Sequence, residues 1–153
     1  MTISQWLETL LSLMDFGSVK VEELAADKLG NRWLVIDSAG LSEEQVNLLT
    51  GENGSGLDAL QYFVNLAFDQ GHTYIVELNG FRQRQLNILH DMAIKAVNHV
   101  RENKGSFSIS RLSPGERRYI HLLLQEYADV ESFSEGEEPN RQLIVRSIGA
   151  KDA

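Results

Sequence analysis

Apolar residues recur every third or fourth position in five stretches of this chain and every second position in most of the rest. Residues 3–14 place Ile3, Trp6, Leu7, Leu10, Leu11 and Met14 on one side of a helix. Val19 and Val21 alternate with Lys20 and Glu22, and residues 32–37 carry Trp33, Leu34, Val35 and Ile36. These read as two strands connected through a turn at Gly30-Asn31. Ser42 and Gln45 form a capping-box signature, with Leu41 and Val46 at the positions of a hydrophobic staple, so a short helix runs to Gly51. Another helix follows from about residue 56, with Leu57, Leu60, Val64 and Ala67 on one face, and ends near Gly71. A strand over 74–78 completes the first half.

The pattern restarts after Asn79-Gly80. A long helix over about 82–102 buries Leu86, Leu89, Ala93, Val97 and Val100. Phe107 and Ile109 alternate with serines, as in a strand. Ser113-Pro114-Gly115-Glu116 combines a capping box with proline at the first helical position. The helix it opens has Ile120, Leu123, Leu124 and Tyr127 on its apolar side. Strands over 130–134 and 142–146 follow, joined by an acidic loop around Gly136-Glu137-Glu138-Pro139-Asn140. The expected fold class is α+β. A first domain over 1–80 has the order helix-strand-strand-helix-helix-strand. A second over 81–148 includes the long leading helix and a three-stranded sheet, and 149–153 form a tail.

A length of 153 residues suits one domain or two small ones. Hydrophobic residues at 42% and charged residues at 24% are the proportions of a folded chain. The absence of cysteine excludes disulfides, thiolate zinc sites and cysteine nucleophiles, and fits a reducing, cytoplasmic setting. No apolar run approaches the ~20 residues of a membrane helix, and no basic start leads into a hydrophobic core, so neither membrane insertion nor a signal peptide is expected.

The net charge of -8 argues, taken alone, against a nucleic-acid partner. Its distribution changes that. Residues 1–80 hold three basic and twelve acidic side chains, a net of -9. Residues 81–128 hold eight and four, a net of +4, and residues 129–153 three and six, a net of -3. Two modules with different surfaces are implied, the second with a basic block.

Within that block Arg117 and His121 are four residues apart on a predicted helix and share a face, with Arg118 flanking. A guanidinium matches phosphate oxygens with a planar fork of donors, and an imidazole donates to phosphate or stacks on a base. Tyr119, Phe107 and Phe133 are available as stacking faces. The alternative is a solvated arginine pair beside a half-buried structural histidine. His72, His90, His99 and His121 show no metal-binding spacing, no Gly-x-Ser-x-Gly elbow exists, and no acid/base pair stands out among the carboxylates. No catalysis, metal or cofactor is expected.

Leu112-Ser113-Pro114-Gly115-Glu116-Arg117-Arg118-Tyr119-Ile120-His121 resembles the signature of the domain named for its Arg-x-x-x-His spacing, the R-3-H domain. Ser134-Glu135-Gly136-Glu137-Glu138-Pro139-Asn140-Arg141 is similar to the stretch that closes this domain in bacterial Jag/KhpB-type proteins. Asn79-Gly80-Phe81-Arg82-Gln83-Arg84 resembles that family's inter-domain element, with phenylalanine for tyrosine, and Leu57-Asp58-Ala59-Leu60-Gln61-Tyr62 resembles part of its KH domain. The resemblance implies a type II KH-like domain followed by an R-3-H domain, in a short form without the N-terminal Jag module. It also implies a cytoplasmic regulator acting after transcription. Single-stranded RNA, or single-stranded DNA, would be bound by Arg117 and His121 with help from Arg118, Arg141, Arg82 and Arg84.

The KH loop departs from the family. Gly51-Glu52-Asn53-Gly54 lies between two helices, where a Gly-x-x-Gly clamp belongs, but its middle positions are an acid and an amide. Glu52 would face phosphate, Asp58 follows one turn later, and no lysine or arginine lies nearby in sequence to offset them. The loop reads either as a weakened clamp or as a turn that keeps its glycines for positive φ. A second functional reading follows: an adaptor whose acidic KH-like domain pairs with another KH protein or with itself.

Overall fold

The computed structural model describes residues 1–51, 53–68 and 71–150. It divides into two compact units, Met1–Arg84 and Gln85–Ala153.

The first unit contains α1 (Ile3–Leu13), β1 (Val21–Glu23), β2 (Asn31–Ile36), α2 (Glu43–Thr50), α3 (Ser55–Ala67) and β3 (Thr73–Leu78). Its sheet has the order β1-β2-β3. β1 runs antiparallel to β2, with Val21 opposite Ile36. β2 runs parallel to β3, with Leu34 opposite Val76 and Ile36 opposite Leu78. Parallel neighbours need a crossover, and α2 and α3 supply it. Leu7 and Leu11 of α1, Leu57 and Val64 of α3, and Leu34, Val76 and Leu78 of the sheet are fully buried together. The tight α2–α3 junction requires glycine at position 56, where a Cβ would stand 2.2 Å from the Leu49 carbonyl oxygen.

Asp27 organises the β1–β2 connection. Its Oδ1 accepts from the Leu29 and Asn31 amides, both at 2.9 Å, and its Oδ2 accepts from Trp33 Nε1 at 2.9 Å. Burial pushes this carboxyl up, but the hydrogen bonds from Trp33, Asn31 and Leu29 outweigh it and hold the group below the usual carboxylate range.

The second unit takes most of α4 (Phe81–Asn103), then β4 (Ser106–Ile109), α5 (Pro114–Leu124), β5 (Val130–Glu135) and β6 (Gln142–Ser147). The sheet order is β4-β6-β5, antiparallel throughout. Leu89, Ala93, Val97 and Val100 of α4 and Ile120 and Leu124 of α5 share one core with Ile109, Val130, Leu143 and Val145. Successive strand residues face opposite ways. Ser106, Phe133, Ile144 and Arg146 therefore lie on the other side of the sheet, where Arg146 stacks on Phe133 at 4.9 Å.

The units divide after Arg84, not after the expected Gly80. Phe81 packs against the first core, and the Arg82 side chain is bonded within the first unit. The first turn of α4 is thereby tied to β3. Buried Glu77 strengthens this tie: its carboxylate accepts from the Arg82 amide at 2.8 Å and the Gln83 amide at 3.0 Å. Those are donors that a helix start otherwise leaves unsatisfied. Of the expected tail, residues 151–153 lie outside the described residues.

Candidate functional site

α5 begins with a complete capping box. Ser113 Oγ accepts from the Glu116 amide at 3.1 Å, and Glu116 Oε1 accepts from the Ser113 amide at 2.9 Å. Pro114 occupies the first turn, where its missing N–H costs nothing. The buried residues of the helix are Arg117, Ile120 and Leu124. Spacings of three and seven put all three on one stripe.

Arg117 therefore points inward and is only 5% exposed. Its Nη1 donates to the Leu112 carbonyl at 2.7 Å and to the Arg141 carbonyl at 3.4 Å. Its Nη2 pairs with Glu138. The guanidinium joins the loop before α5 to the β5–β6 loop. It braces the fold instead of presenting a donor fork to solvent, which is a different place from the phosphate-facing one expected of it. Arg141 is half-buried and donates through Nη1 to the Gly136 carbonyl at 2.8 Å, closing the same loop.

The next residue turns about 100° around the helix. Arg118 is exposed and pairs with no carboxylate among the described residues. His121 lies on the flank between the buried and exposed faces. Its Nδ1 is 2.6 Å from Ser132 Oγ on β5, and its Nε2 is 3.3 Å from Gln125 Nε2. A Gln125 amide donating to Nε2 places the ring proton on Nδ1, directed at Ser132. A groove of about 330 Å³ opens beside this imidazole, lined also by Leu124, Tyr127, Val130 and Glu131. Gln125 and Ser132 escaped the sequence reading. Gln125 stands four residues after His121, a spacing that signals a shared face. No sequence signal brings Ser132 to the ring.

The arginines at the other expected positions divide in the same way. Arg82 is 5% exposed and donates through Nε to the Val76 carbonyl at 3.2 Å and through Nη2 to Asp58 at 2.6 Å. Asp58 thus has a basic partner 24 residues along the chain, contrary to the expectation from local sequence. Arg84 is exposed, with Nη1 donating to the Asn79 carbonyl at 2.8 Å.

Between α2 and α3, Gly51 has φ +54°, Asn53 +62° and Gly54 +81°. Glu52 lies outside the described residues. A Cβ on Gly54 would meet Phe81 Cε1 at 2.5 Å and Arg82 Nη1 at 3.2 Å. Glycine there is demanded by the protein's own packing as well as by its backbone conformation.

The buried position of Arg117 has a measurable consequence. Arg117→Ala leaves two carbonyls without their donor and is expected to destabilise the protein by about 1–3 kcal/mol in urea unfolding followed by far-UV circular dichroism. Arg117→Lys should recover only part of this, because an ammonium cannot reproduce the planar fork. Unchanged stability in Arg117→Ala would contradict the brace.

Residues 87–147 match the model of the R-3-H domain. The chain is 33% identical over 112 residues to the RNA-binding protein KhpB of Clostridium symbiosum, covering 71% of this chain and 50% of that protein. It is 30% identical over 111 residues to the RNA-binding protein KhpB of Bacillus subtilis, covering 69% and 53%. With the RNA-binding protein KhpB of Lactiplantibacillus plantarum the identity is 24% over 143 residues, covering 88% and 44%. The chain spans about half the length of the curated relatives it matches. Together with the α5 signature and the three-stranded sheet, these matches identify residues 87–147, within the second unit, as an R-3-H domain, in a chain similar over about two thirds of its length to the RNA-binding proteins named KhpB.

Proposed function

We propose that this chain binds single-stranded RNA through the solvent-facing side of α5, as a cytoplasmic regulator acting after transcription. The observation that carries this reading is the pairing of exposed Arg118 with half-exposed His121 on one helix, inside the stretch whose net charge is +4. Arg118 supplies phosphate contact, and Arg84 and Arg141 add to the positive field. Arg117 and Arg82 contribute by holding the backbone. The first unit is read as a type II KH-like domain whose Gly51–Gly54 turn serves packing more than clamping, since Gly54 lies against Phe81 and Asp58 already has Arg82. The names of the relatives, RNA-binding proteins all, agree with this reading.

Fluorescence anisotropy with a labelled single-stranded RNA tests it. If three or four phosphates are engaged, log K falls with log salt at a slope of about -2 to -3. Arg118→Ala should weaken binding and make that slope shallower by about 0.7, one phosphate contact, with no loss of stability. Unchanged affinity and slope would remove α5 from the interface.

One observation favours a second reading, the adaptor. On α3, Tyr62, Phe63 and Leu66 are 65%, 52% and 66% exposed and form an apolar stripe on the side away from the core. A stripe of that kind suits contact with another protein chain, such as a second KH-type domain or a second copy. Light scattering on nuclease-treated protein tests it for self-pairing. A dimer mass that falls to monomer in Phe63→Glu supports the reading, and a monomer in both proteins rejects self-pairing.

A further inference from the structure

The groove beside His121 differs in chemistry from the phosphate-contacting side of α5. Its lining contains no lysine or arginine among the described residues. Its one formally charged side chain is a carboxylate, Glu131, which accepts from Arg146 Nε at 2.6 Å. With no cation in that lining, the groove offers phosphate no ion pair. The floor is apolar, formed with buried Leu124 and Val130, and Tyr127 adds an aromatic wall. Its polar groups are the imidazole of His121, the hydroxyl of Ser132 and the carboxamide of Gln125. At about 330 Å³ the groove is at the small end of the ~300–1,000 Å³ range of small-molecule sites, room for one planar ring system and not for a folded strand.

The decisive group is the carboxamide of Gln125. Among the described residues it bonds to His121 Nε2, which occupies one N–H. That leaves a second N–H and the Oε1 acceptor side by side on an exposed residue. A neighbouring donor and acceptor match the edge of a nucleobase, the arrangement by which Gln or Asn pairs bidentately with adenine. The His121–Ser132 contact at 2.6 Å holds the imidazole, and through it the amide, in one orientation.

We infer that this groove receives one unstacked nucleobase of the bound single strand, with Gln125 contacting its edge and His121 and Ser132 as positioning residues. The inference rests on the RNA-binding reading and deepens it. Arg118 holds the backbone, and the groove further along α5 holds a base. Affinity at this point depends on a base being present and not on charge alone.

The test uses the full chain and two fluorescein-labelled strands in anisotropy titrations: an oligoadenylate, and the same backbone with abasic positions throughout. The wild type should bind the adenine strand about tenfold more tightly than the abasic one, equivalent to ~1.4 kcal/mol. Gln125→Ala should lose most of that difference while leaving abasic binding and the salt slope unchanged. Equal wild-type affinity for both strands would overturn the base site and leave the RNA-binding reading standing. So would a Gln125→Ala loss that is the same on both strands. Absence of binding to either strand would overturn both.

Discussion

The buried guanidinium of Arg117 joins two loops distant in sequence, the one before α5 and the one between β5 and β6. It reaches the Leu112 carbonyl before α5, the Arg141 carbonyl before β6, and Glu138 in the loop between β5 and β6. A buried charge is tolerated only when its donors are matched in this way. The contact fixes the rotation of α5 about its own axis. With Arg117 inward beside Ile120 and Leu124, Arg118 must face outward, and His121 must lie on the flank where Ser132 can reach it. The candidate interface follows from that one orientation.

The first unit uses the same device. Arg82 is buried to the same extent and joins the Val76 carbonyl, Asp58 on α3 and the start of α4, beside Glu77, which caps that helix. Two arginines of an acidic chain are thus committed to internal carbonyls and carboxylates. In the proposed interface the attraction for phosphate falls to the remaining exposed cations, against a first half with a net charge of -9. That repulsion is long-ranged at low salt and screened beyond ~10 Å at 0.1 M. Contacts that do not depend on charge, such as a base edge against Gln125, gain weight in such a protein.

Most elements were legible because their signals are local. The capping box at Ser113-Pro114-Gly115-Glu116 and the stripe of Ile120 and Leu124 mark α5 within a few residues of Pro114–Leu124. The site was legible only in part. Arg117 stands three residues before Ile120, so the apolar stripe itself places it inside, yet arginine as a residue type suggests a surface. The stripe prevails because carbonyls and Glu138 are there to receive the guanidinium, and those partners lie up to 24 residues away. Asp58 with Arg82 and His121 with Ser132 were unreadable for the same reason. Each pair depends on how elements distant in sequence pack, which periodicity does not encode. Gly54 shows the reverse case: the glycine was visible, but one of its causes, the Phe81 ring against it, is tertiary.

The proposal stands or falls on whether RNA meets this chain at the outer side of α5, oriented by Arg117. Backbone amide chemical shifts of the full chain, recorded during titration with a single-stranded RNA oligonucleotide, test it most directly. Shifts should concentrate at Arg118, His121, Gln125 and Ser132, with little change at Gly51, Asn53 and Gly54. Shifts confined to the turn between α2 and α3, with α5 unperturbed, would contradict it.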